Sequence, residues 1–88
     1  MTDDQFARIA RALAQPRRFR ILQEIGASED PTPYATLRKT RRMAATTLFR
    51  DTKELETVGL IHIVREGELA SIVLQRHVLR AFQDRLSF

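Results

Sequence analysis

At Gly59 the period of the apolar residues changes, and that switch constrains the fold of this 88-residue chain more than any other feature. Before it, apolar side chains recur every three or four positions, as on one face of a helix. After it come two short runs rich in branched residues, LIHIV at 60–64 and LASIVL at Leu69–Leu74. They flank Arg65-Glu66-Gly67-Glu68, a turn signal with glycine inside, and so read as a β-hairpin. Residues 75–87 return to helical spacing, with Val78, Leu79, Phe82 and Leu86 on one side. The hairpin must therefore sit between helices.

Four helices precede it. Phe6, Ile9, Ala10 and Leu13 form one apolar stripe, and Thr2 or Asp3 can cap its start. Pro16 breaks this helix and can open the next, whose buried side is marked by Phe19, Leu22 and Ile25 and whose stop is Gly26. Residues 27–33 have loop composition. Thr32-Pro33 reads as a cap followed by proline at the first helical position, opening a short helix through Leu37 to about Lys39. A break near 40–42 precedes a long helical stretch, residues 43–58, ended by Gly59. The last two are joined as a helix-turn-helix. The expected order is α-α-α-α-β-β-α, mainly α with a β-hairpin, in a single domain spanning 1–88.

The charge is unevenly placed. Residues 1–30 carry five arginines against five acids, and residues 66–88 three against three. Residues 31–65 carry seven cations (Arg38, Lys39, Arg41, Arg42, Arg50, Lys53, Arg65) against three acids (Asp51, Glu54, Glu56), so the whole net charge of +4 sits there. A solvated helix face is the ordinary source of such a cluster. An imbalance confined to one segment is also the electrostatic footprint of a nucleic-acid surface.

Several classes fall away. The chain has no cysteine, which removes disulfides, thiolate metal sites and cysteine nucleophiles. Two isolated histidines, His62 and His77, and the lack of a glycine-rich phosphate loop leave no catalytic constellation, so no enzyme and no cofactor are expected. No apolar stretch approaches the ~20 residues that span a bilayer, and the start of the chain lacks a signal-peptide layout. The chain reads as soluble and cytoplasmic.

Projected at about 100° per residue, the stretch 43–58 puts Leu48, Thr52 and Leu55, joined by Ala44 and Ala45, on a core face. Thr46, Arg50, Lys53 and Thr57 lie opposite, with Met43, Thr47 and Glu54 beside them and Phe49 on the flank. Short hydroxyls let a helix approach a DNA groove closely, and an arginine can donate two bonds to guanine. Thr46, Thr47 and Arg50 are thus candidate base readers. Arg38, Lys39, Arg41, Arg42, Lys53 and Arg65 are candidate phosphate contacts. Thr52, on the core face, needs a partner for its hydroxyl, such as a carbonyl one turn back.

Two segments resemble the ArsR-type family of winged-helix regulators. In the first, Leu13, Ala14, Pro16, Arg18, Ile21 and Leu22 match its leucine-alanine-x-proline-x-arginine-x-x-isoleucine-leucine segment. In the second, Lys53, Leu55, Glu56, Gly59, Leu60, Ile61, Arg65, Glu66 and Gly67 match its recognition-helix exit and wing. The resemblance runs from about Phe6 to Leu86. It implies a winged helix-turn-helix and a homodimer formed by the first and last helices, with Phe6, Ile9, Leu13, Leu79, Phe82 and Leu86 at the interface. It also implies a near-palindromic double-stranded DNA operator and repression relieved by an effector, whose identity the sequence leaves open.

Three departures from the family stand out. No cysteine pair occupies the helix around Tyr34, so thiolate sensing there is excluded. Gln75-Arg76-His77-Val78 echoes half of a metal set on the last helix, but its second half falls at or beyond the chain end; no metal site is expected. Phe49, Asp51 and Thr52 stand where a serine, a histidine and a leucine are common. Asp51 places a negative charge near the phosphates, and Glu66 and Glu68 make the wing tip less basic. Phe49, Asp51 and Glu68 keep a second reading open, a winged-helix protein-interaction module with weak or non-specific DNA binding.

Overall fold

Thr2 starts the first helix as a capping box: its hydroxyl accepts the Gln5 N–H at 3.1 Å, and the Gln5 side chain accepts the Thr2 N–H at 3.0 Å. The computed structural model describes residues 1–87, and they follow the expected order with one addition. Helices α1 (Asp3–Leu13) and α2 (Pro16–Gly26) lead into a two-residue strand, β1 (Thr32–Pro33). Then come α3 (Tyr34–Arg41), α4 (Ala45–Thr57), the hairpin β2 (Ile61–Glu66) and β3 (Leu69–Leu74), and α5 (Arg76–Arg85). The strands form an antiparallel sheet in the order β1-β3-β2.

The addition corrects one expectation. Thr32-Pro33 does not begin a helix; Thr32 pairs with Ile72 and Pro33 with Ser71, and Pro33 is the residue before α3, with no side-chain cap. Pairing to a strand some 40 positions away, which leaves Thr32 buried, overrides the local capping signal. The hairpin turn is also tighter than the sequence suggested. Glu66 pairs with Leu69, leaving Gly67 and Glu68 as the turn, and Gly67 has the positive φ (62°) that such two-residue turns favour.

Gly59 does what the change of period demanded of it. At φ 85° it ends α4 in a Schellman arrangement, with its N–H on the Glu56 carbonyl at 2.9 Å and the Leu60 N–H on the Leu55 carbonyl at 3.0 Å. Leu55 and Leu60, the apolar pair flanking this stop, are both fully buried. The core gathers Ile9, Ile21, Ile25, Leu37, Leu48 and Ile72 from every layer around them.

Several core assignments differ. Ala10, on the expected stripe of α1, is exposed, and the buried residues of that helix are Ile9 and Ala12. Phe19 is 44% exposed, because α2 buries Ile21, Leu22 and Ile25, and a residue two positions from Ile21 lies roughly 200° around the helix. Ala44 and Ala45 are exposed as well. The helix begins only at Ala45, so its first turn projects past the core.

Candidate nucleic-acid interface

The turn between α3 and α4 is made by Arg42, which sits in the left-handed region at φ 50°, ψ 44°. Glycine is the residue of low cost there; a side chain with a Cβ is strained. An exposed arginine at this position, next to exposed Arg38 and Lys39, puts three cations at the approach to the N-terminus of α4. Arg41, the fourth cation of the group, is half-buried and engaged. Its Nε lies 2.8 Å from Glu24 of α2, and the Thr40 hydroxyl donates to the same carboxylate at 2.6 Å. Glu24 therefore moors α3 to α2 and offsets part of the charge counted from sequence.

Along α4, Thr46 and Arg50 are exposed and Thr47 is half-buried. Lys53 is exposed, 3.4 Å from Glu56. On the other side Leu48, Thr52 and Leu55 are fully buried, and the Thr52 hydroxyl donates to the Leu48 carbonyl at 2.9 Å, one turn back, as its core position required.

Asp51 overturns the expectation of a negative charge facing phosphates. It is fully buried against α2, where Arg17 donates to both carboxylate oxygens, through Nε to one and through Nη2 to the other at 3.0 Å; Arg18 Nη1 lies 3.8 Å away. The hydrogen bond to Asp51 raises the Arg17 pKa above its ordinary value, outweighing the opposing effect of desolvation. Arg18 also donates from Nε to the Ala12 carbonyl at 2.7 Å, so the cluster joins α1, α2 and α4. Sequence reading missed Arg17 as a partner of Asp51; the signal available was an acid adjacent to a core threonine, which calls for a cation from another element.

The wing is held to α4 by Glu56, whose second carboxylate oxygen accepts the Ile63 N–H at 3.0 Å. Arg65 is exposed near the tip, beside exposed Glu66 and Glu68. Leu69, next to the turn, is 76% exposed.

The six residues expected at a dimer interface divide. Ile9 and Phe82 are buried inside the protomer, since α1 and α5 pack on each other: the Phe6 and Phe82 rings stack at 4.9 Å, and the Arg85 guanidinium lies 5.0 Å over the Phe6 ring. Phe6, Leu13 and Leu79 stay half-buried and Leu86 exposed, so a remnant of both stripes still faces outward. His62 and His77 are exposed, and among the described residues no three His, Cys, Asp or Glu side chains gather as a metal site would need. No helix among these residues is long and apolar enough to cross a membrane.

No family model and no curated protein matches the chain. Solved structures do. An ArsR-like transcriptional regulator from Rhodococcus sp. RHA1 is similar at TM-score 0.80 and 18% identity, over 94% of this chain and 76% of that one. An ArsR family transcriptional regulator is similar at TM-score 0.84 and 23% identity, over 98% and 87%. The homodimeric winged helix-turn-helix DNA-binding domain of a possible ArsR-family regulator from Mycobacterium bovis is similar at TM-score 0.78 and 26% identity, over 98% and 84%. The fold of this chain is the winged helix-turn-helix, and the resemblance read from its two segments is matched by neighbours that are ArsR-family transcriptional regulators, not enzymes.

Proposed function

We propose that this ArsR-like chain is a sequence-specific DNA-binding transcriptional regulator, working as a homodimer that represses from a near-palindromic operator. The observation that carries the reading is the outward face of α4: exposed Thr46, Arg50 and Lys53 beside the exposed cations Arg38, Lys39 and Arg42. Seated in a major groove, α4 presents Arg50 to a guanine edge and the threonine hydroxyls to neighbouring bases or phosphates. The cations before its N-terminus meet the flanking backbone, and Arg65 meets the next stretch of it. The homodimeric Mycobacterium bovis domain supports the two-fold arrangement, for which the outward remnants of α1 and α5 (Phe6, Leu13, Leu79, Leu86) offer the surface.

Selection of bound sequences from a random DNA pool tests this directly. The expected result is an enriched site with two related halves about one helical turn apart (~10 bp), bound more weakly as salt rises. A pool with no enriched sequence would remove the base-reading role, and a monomer at micromolar concentration in sedimentation would remove the homodimer. Exposed Phe49 and Leu69 favour a second reading, a protein-interaction module. Salt-sensitive binding without sequence preference, alongside tight association with a protein, would support it instead.

A further inference from the structure

We propose that Phe49 is a specificity-determining residue, its ring packing against the 5-methyl group of a thymine in the major groove beside the base that Arg50 reads. This rests on the DNA-binding reading above. Phe49 is 52% exposed on a helix whose other large apolar residues, Leu48 and Leu55, are fully buried. The interior of the protomer therefore gives little account of an aromatic ring at this position. Its surroundings do. Ala45, Thr46, Phe49, Arg50, Lys53 and Glu54 line a shallow concavity along the outer side of α4, so the ring is set among the groups that face DNA. The thymine methyl is the apolar group that base edges offer in the major groove, and phenylalanine is one of the side chains that meet it there. Of the two cations beside the ring, Arg50 is the one given to guanine, and Lys53 complements the phosphates lining such a groove.

The presentation is rigid. Two positions along, Asp51 is held by Arg17 of α2, and Leu48, Thr52 and Leu55 are fully buried, so the roll of α4 is fixed from behind while Phe49 faces outward. Residues 49 and 50 are about 1.5 Å apart along the helix axis, which places the thymine within one or two base pairs of the guanine.

The test uses the full chain and the operator selected from the random pool, with deoxyuridine replacing each half-site thymine in turn. Wild type is expected to lose roughly fourfold in affinity per half-site at one position, the worth of one buried methyl group. Phe49→Ala should bind thymine and uracil there equally while keeping the guanine preference. Phe49→Leu, which retains an apolar end, should keep part of the methyl preference, separating loss of readout from loss of fold. Wild type indifferent to uracil at every position would overturn the proposal and leave the DNA-binding reading standing. So would a Phe49→Ala protein that keeps its methyl preference but loses a protein partner. A wild-type chain that selects no sequence would overturn both.

Discussion

The helix-turn-helix and the wing approach the same surface with opposite means. Around α3 and α4, Arg38, Lys39, Arg42, Arg50 and Lys53 face outward while two carboxylates work inward: Asp51 is tied to α2 through Arg17, and Glu24 of α2 holds Arg41 and Thr40. Leu37, Leu48 and Leu55 are sealed beneath them. At the wing tip the carboxylates face outward instead, Glu66 and Glu68 following Arg65, and the neighbouring apolar residue, Leu69, stands in solvent. A charge has to be judged by where its partner is, because the same residue type that neutralises the wing stabilises the recognition helix. On the proposed DNA-binding reading, base choice therefore belongs to α4, while Arg65 of the wing adds affinity without choice.

That contrast can be broken most directly through stability. Leu48→Ala should cost about 2–5 kcal/mol in urea denaturation, while Leu69→Ala should stay within about 0.5 kcal/mol; equal effects would erase the distinction. Asp51→Ala leaves two guanidinium groups without their carboxylate and should cost about 1–3 kcal/mol, moderated because Arg17 is partly in water. If it costs nothing, the cluster does not moor α4. In binding, Arg50→Ala should lower the preference for operator over random DNA by about 1–3 kcal/mol per half-site, measured by competition titration. Arg65→Ala should leave that preference intact and lower affinity for both DNAs alike. A specificity ratio moved by the wing residue rather than by Arg50 would reverse the assignment. The smallest effect concerns the turn: Arg42→Gly relieves a left-handed side chain and should raise stability by about 0.5–1 kcal/mol while weakening DNA binding. A variant that gains stability with no loss of affinity would remove Arg42 from the phosphate contacts.

Much of this architecture could be read from local pattern. The stripe at Ile9, the stop at Gly59 and the Thr52 hydroxyl bonded one turn back all follow from spacing within a single element. What sequence reading missed was set between elements. Arg17 and Asp51 are 34 positions apart, so no periodicity links them, and Asp51 alone looks like a charge on the DNA side. Thr32-Pro33 carries a strong local capping signal, but its pairing with β3 is decided by a strand far along the chain. Phe19 carries a further lesson. An aromatic at helical spacing suggests burial, yet the roll of a helix is set by what packs against it, and the roll of α2 leaves this ring outside.

The bond from Glu56 to the Ile63 amide has a mechanical meaning. It bolts the hairpin to the end of the recognition helix across the Gly59 corner, so the two behave like the jaws of a fixed gauge. Such a gauge measures the object placed in it. On the DNA expected between those jaws, a groove too wide or too narrow would seat the helix or the hairpin but not both. Stretches that never touch a side chain would then be discriminated by how readily they adopt the required width.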